Sequence, residues 1–165
     1  MRATPENLSK LAGNTKSETK KYFARLKKKN PKQLDGLMQE LHNEEFSRTN
    51  CLDCANCCKT TSPIFIDKDI NRIARFLRMK EQQFIETYLF RDEDDFMVLQ
   101  QEPCPFLDLN DNTCGIYEVR PKACSEYPHT NRKRFSQLLN LTLKNTEVCP
   151  AVYNIVEELK TKLTY

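Results

Sequence analysis

A chain of 165 residues with 39% hydrophobic and 30% charged side chains has material for one domain with a modest core plus an appendage, and is too apolar for wholesale disorder. Its three glycines, Gly13, Gly36 and Gly115, exclude a glycine-rich phosphate loop or a dinucleotide fingerprint, which need several glycines close together. The net charge of +3 is unevenly spread: residues 1–49 hold 11 Lys and Arg against 6 Asp and Glu, a balance of +5, so the remainder, with all eight cysteines, sums to −2.

The first 49 residues read as a basic helical arm. Thr15 with Glu18 three residues on predicts a capping box ahead of Tyr22, Phe23 and Leu26. Asn30-Pro31 is expected to end that helix and start another, with Asn30 as its N-cap. Leu34, Leu37, Met38 and Leu41 then form one apolar helical stripe. A cysteine loop follows over 50–63. Asp67 is expected to cap a helix carrying Ile70, Ile73, Ala74 and Leu77, and residues 81–90 present a second helical face through Phe84, Ile85, Tyr88 and Leu89. The acidic run Asp92–Asp95 is a connector, Phe96–Gln101 a strand, and 105–117 a hairpin turning at Asn110-Asp111-Asn112. Residues 134–143, with alternating Leu139, Leu141 and Leu143, favour a strand over a helix. Pro150 opens a last helix with Val152, Ile155, Val156, Leu159 and Leu163 on one face. The fold class is therefore α+β: a small cysteine-rich domain over 50–165, with a short hairpin or sheet and several helices, behind the arm at 1–49.

Met1 to Gly13 is polar and lacks the apolar stretch of a secretion signal. No run approaches the ~18 apolar residues of a membrane span, so no membrane partner is expected. Both point to the cytoplasm, where thiols stay reduced and a cysteine-rich chain is expected to ligate metal instead of building disulfides. The candidate ligands are Cys51, Cys54, Cys57, Cys58, Cys104, Cys114, Cys124 and Cys149. Cys51-x2-Cys54-x2-Cys57-Cys58 contains two overlapping C-x2-C knuckles, a spacing at which a tight turn brings two sulfurs to one metal. Three thiolates can converge there, with Cys58 directed elsewhere, toward a second centre. Cys104 and Cys149 each precede proline, as the last ligand of ferredoxin-type runs does. Cys149 is also expected at the start of the final helix, where backbone N–H groups favour a thiolate.

An all-sulfur set suits zinc or an iron–sulfur cluster, and the x2 spacing with a distant Cys-Pro tips the balance slightly to iron–sulfur. Of the two histidines, His42 and His129, the latter is more simply a surface group than a ligand. Arg120 is expected either to support the site from behind or to lie on the surface. Asp108-x-Asn110-x-Asn112 begins like a calcium loop but has Thr113 and Val119 where glycine and glutamate are required, so it is rejected. No catalytic set of Ser, His and Asp can be named. The basic stretch Lys16–Lys32 reads first as a solvated face and second as a nucleic-acid contact.

Cys104-Pro105-Phe106-Leu107, Cys114-Gly115-Ile116-Tyr117-Glu118, Arg120-Pro121, Cys124 and Pro128, together with the first four cysteines, resemble the YkgJ-type CxxCxxCC family over about 50–151. The resemblance implies a zinc- or iron-chelating domain with Cys51, Cys54, Cys57, Cys58, Cys104, Cys114 and Cys124 in the cluster, and Cys149 matched more loosely. A flagellin lysine methylase has a similar cysteine cluster, so the resemblance admits an enzyme. The expected function is a cytoplasmic metal-binding protein, in electron transfer or in metal or cluster handling with an unknown protein partner. Its alternatives are a metal-dependent protein-modifying enzyme and a zinc-stabilised interaction module.

Overall fold

Leu8, Ala12, Tyr22, Phe23 and Leu26 recur at helical spacing and are buried along one side of α1 (Leu8–Lys29). This helix begins seven residues before the Thr15–Glu18 box that was expected to cap it. Nothing in 8–14 breaks a helix, and burial of Leu8 and Ala12 stabilises the extra turns. The Thr15 hydroxyl instead donates back to the Leu11 carbonyl at 3.0 Å. Asn30 ends α1 in a left-handed conformation (φ 40°), its N–H closing on the Leu26 carbonyl at 2.7 Å. It is the C-cap of α1 and not the N-cap of the next helix, α2 (Leu34–Phe46). The computed structural model describes all of residues 1–165. They form eight α-helices and one two-stranded antiparallel sheet, an α+β fold as the sequence predicts.

The chain gathers into two units, the first made of Met1–Asn50 and Pro128–Tyr165, the second of Cys51–Tyr127. In the first, the stripe of α2 (Leu34, Met38, Leu41) is buried with Val152, Ile155 and Leu159 of α8 (Pro150–Lys162). Glu45 of α2 is 3% exposed. Its carboxylate accepts two hydrogen bonds from Arg2 (2.6 and 2.7 Å), two from Arg48 (3.0 and 3.2 Å) and one from Asn154 of α8 (3.0 Å). The expected strand at 134–143 is a correction. Phe135–Gln137 is a 3-10 turn and Leu139–Asn145 is α7. Leu139 and Thr142 are buried while Leu141 is 40% exposed, a helical and not an alternating pattern. Asp35 of α2 anchors the entry, accepting the N–H groups of Arg134 (2.7 Å) and Phe135 (2.9 Å).

The second unit begins with a 3-10 turn, Cys51–Asp53, and a short helix α3 (Asn56–Thr60). Its core surrounds Phe84, which is fully buried with Ile73 and Ala74 of α4 (Asp67–Phe76), Phe65, Leu89 and Leu99. Asp67 is not the cap of α4. The helix is capped by Asp69, whose Oδ2 accepts the N–H of Ile66 at 3.1 Å, because only that side chain points back from the first turn. After α5 (Glu81–Tyr88) the expected helical residues Leu89 and Phe90 leave the helix as β1 (Leu89–Arg91). This strand pairs with β2 (Met97–Leu99), Phe90 facing Val98, around the acidic connector as a turn. The hairpin expected over 105–117 reduces to one bridge, Leu107 to Cys114, because Asp108 and Asp111 turn the intervening chain onto their own carboxylates. A short helix, α6 (Lys122–Glu126), follows Pro121 and carries Cys124.

Candidate metal centre

Seven of the eight cysteines lie in the second unit. Cys149 lies in the first, as the N-cap of α8 against that unit's core. All eight are free thiols. The loop 51–60 holds four of them because its backbone closes twice: the N–H groups of Cys54 (3.1 Å) and Ala55 (2.8 Å) both donate to the Cys51 carbonyl, and Ala55 takes a left-handed φ of 48° to start α3. Cys104 joins the loop through its N–H, which donates to the Cys58 carbonyl at 2.8 Å. Cys114 stands on the bridge to Leu107, and Asn112 in the same turn donates to the Leu52 carbonyl.

The backbone N–H of Asn56, two residues downstream, is directed at the Cys54 sulfur at 3.5 Å, and the backbone of Phe106 and of Ile116 lowers Cys104 and Cys114 against their burial. Donors aimed at sulfur favour the thiolate, the form that binds metal. The electrostatics place Cys58 at the centre. The Cys57 thiol hydrogen-bonded to it outweighs its burial and, with the Lys59 ammonium, brings Cys58 down to about 7. Burial raises Cys51, Cys104 and Cys114, and the charge of Cys58 adds to each rise. Cys124 is exposed by surface area, yet desolvation by the protein around its sulfur pushes it up to about 12, with further contributions from Cys58, Cys104 and Cys114. Cys51, Cys104, Cys114 and Cys124 thus each lie within electrostatic reach of Cys58.

Thiolates so placed repel, and a bound cation removes the repulsion. The side chains are not themselves closed around a point: no set of three or more Cys, His, Asp or Glu groups is arranged to grip an ion. Both histidines belong to the first unit, where His42 meets Thr130 at 2.7 Å. The donor chemistry of the second unit is therefore sulfur, and it fits a thiolate-bound metal.

Arg120 lies beside the thiols, its charge lowering both Cys114 and Cys124. It stacks on Tyr117 at 4.1 Å and donates to the Tyr117 carbonyl at 2.8 Å. Sequence reasoning missed Asp69 and Arg72. Asp69, 1% exposed, accepts Arg72 (2.8 Å) and the Lys122 N–H (3.1 Å) on one oxygen. Arg72 then donates to the carbonyls of Val119 (3.2 Å) and Arg120 (2.8 Å). The pair fixes the backbone on which Cys124 rides, and the only signal in the sequence is a carboxylate with an arginine three residues on.

The model of the CxxCxxCC family, described as "Putative zinc- or iron-chelating domain", matches residues 50–150. The chain belongs to the CxxCxxCC family. Zinc- or iron-chelation is accordingly the chemistry its cysteine words carry, and the family match spans all eight cysteines. No solved structure matches the chain.

Proposed function

We propose that this CxxCxxCC protein is a cytoplasmic iron–sulfur protein whose cluster thiolates come from Cys51, Cys54, Cys57, Cys58, Cys104, Cys114 and Cys124. The observation that carries the reading is the gathering of seven thiols in one unit, four of them in the loop 51–60 and Cys104 tied to it at the Cys58 carbonyl, with the Asn56 N–H directed at the Cys54 sulfur at 3.5 Å. Hydrogen bonds to cluster sulfurs are how a protein sets the potential of such a site. The unit supplies seven thiols and no histidine, an all-sulfur donor set of the kind that holds iron–sulfur clusters. When bound, a cluster supplies one-electron chemistry. The chain's own part is to hold the thiolates, screen their charge with Lys59 and Arg120, and fix the turn of Cys124 through Asp69 and Arg72. The role this supports is electron transfer or cluster handling with a protein partner.

The test is anaerobic purification with metal analysis, acid-labile sulfide and a visible spectrum. Brown protein with iron and sulfide in equal amounts is expected, and Cys58→Ser should lose most of both while Lys144→Ser loses neither. Colourless protein with stoichiometric zinc would overturn the iron–sulfur reading. Metal-free folded protein with paired sulfurs would overturn the metal reading altogether.

A further inference from the structure

The charge of the molecule divides with its two units. The first holds 17 Lys and Arg against 9 Asp and Glu, a net +8, and the second 9 against 14, a net −5. Within the first unit the excess concentrates on α1. Its buried side chains centre on one direction; Lys10, Lys21 and Lys28 are exposed on the opposite side, and Lys20 and Lys27 are exposed along one flank of it, Glu18 lying on the other flank. The residues between them on that side, Gly13, Asn14, Ser17 and Ala24, are small and uncharged. No acid interrupts the stripe. Glu18, the only acid of α1, lies off it and is held by Lys160 at 3.1 Å. Other cations of α1 are engaged: Lys16 pairs with Glu147 at 2.6 Å, Arg25 donates to the Tyr165 carbonyl, and Lys29 sits over the Tyr165 ring. The five lysines of the stripe have no such partner.

We propose that this lysine stripe of α1 is a docking surface for the phosphate backbone of duplex DNA. Five cations held along roughly 27 Å of one straight helix, at about 1.5 Å per residue, match the extended charge of a duplex. The small residues between them let a backbone approach closely. A single-stranded ligand would need exposed aromatic rings for base stacking, but Tyr22 and Phe23 are buried and the Tyr165 ring is already engaged by Tyr22 and Lys29. An anionic membrane would need an apolar face to insert, and that of α1 is buried in the unit's own core. The major groove of B-form DNA admits a helix, whereas that of A-form RNA is too narrow. Binding is sequence-independent, because lysines on phosphates carry no base information.

The test is fluorescence anisotropy of the full-length protein with a labelled 25-base-pair DNA duplex across 50–200 mM KCl. With five phosphate contacts, log K should fall with log salt at a slope of about −4.5, a loss of a few hundredfold over that range. The variant Lys20→Gln/Lys21→Gln/Lys27→Gln/Lys28→Gln should bind more than tenfold more weakly with a slope of about −1. A control that removes the same charge from the second unit, Lys68→Gln/Arg75→Gln/Arg78→Gln/Lys80→Gln, should bind as the parent does. Circular dichroism and metal content of both variants should match the parent, which separates this proposal from the metal reading. No binding at 50 mM KCl, equal losses in the two variants, or tighter binding to poly-glutamate, to single-stranded DNA or to phosphatidylserine vesicles would overturn it.

Discussion

Asp69 shows how one buried charge positions a remote thiol. A carboxylate removed from water requires partners for its charge and both oxygens, and here every partner is a group that shapes the cysteine-bearing backbone. The Ile66 N–H sets the start of α4, the Lys122 N–H sets the start of α6, and Arg72 spends its remaining donors on the two carbonyls just before Pro121. Asp69→Asn keeps the shape but deletes the charge, and turns an acceptor into a donor that faces the Arg72 guanidinium or an N–H. The expected cost is about 2–4 kcal/mol in denaturant unfolding, the range for breaking a buried, hydrogen-bonded ion pair. Metal affinity, read by chelator competition, should fall about 10–100-fold, as when a group supporting a ligand is removed. Arg72→Lys should retain part of the stability, since it keeps the charge, but not the affinity, because it lacks the fork that spans two carbonyls. Parent-like affinity in both variants would show that the Cys124 turn is held by something else.

Among the elements, α2 and α8 are held together by a charge as well as by their apolar stripes. Burial alone would raise the Glu45 carboxyl. The hydrogen bonds of Arg2, Asn154 and Arg48, with the charge of Arg2, more than offset it and hold the group below the usual 4.5. A carboxyl depressed in the folded state stabilises the fold at pH above its unfolded value, and that contribution is lost as pH falls through the folded value. The contribution of Glu45 is therefore expected to stay level from pH 7 to 5 and to be lost below about pH 4.5, whereas His42, lowered by burial, already costs stability as pH falls through 6.5. Glu45→Gln should cost about 1–3 kcal/mol at pH 7 and flatten that acid limb, measured by urea titration at each pH. An unchanged limb would assign the acid loss to other carboxylates. The sequence rules that read α2 and α8 worked because each helix carries its apolar face in local spacing, whereas α5 was read two residues too far, Leu89 and Phe90 having passed to β1. They failed where a distant group decides. Leu139, Leu141 and Leu143 suit either period until Asp35 ties the N–H groups at 134 and 135 into a helical entry. Asp67 reads as the cap of α4, but Lys122 and Arg72 hold Asp69, whose carboxylate takes that part instead. The cysteine words themselves were readable in full, since ligand spacing is local. The N–H aimed at the Cys54 sulfur and the central place of Cys58 were not, because they depend on how the turns fold.

At the scale of the whole molecule the two units differ in what stabilises them. The first buries a cluster built from the long helices α1, α2 and α8. The second buries a cluster of eight residues with Phe84 among them, with two strands of three residues and helices of five to ten. A domain of that size rarely draws more than about 3–5 kcal/mol from its core alone, and here it carries a net charge of −5 and clustered thiolates as well. A metal that binds only the folded form adds its binding free energy to the fold. Stability of the second unit should therefore depend on metal, and that of the first should not. Hydrogen exchange of the full chain with and without a strong chelator reads this directly. Amides of α4, α5 and the β1–β2 pair should lose protection by a hundredfold or more on metal removal, while the interior amides of α1, α2 and α8 stay within tenfold. Because exchange reports each segment's own opening free energy, a loss shared equally by both sets would mean that the units unfold as one, and no loss in either would mean that the thiolate site contributes nothing to folding.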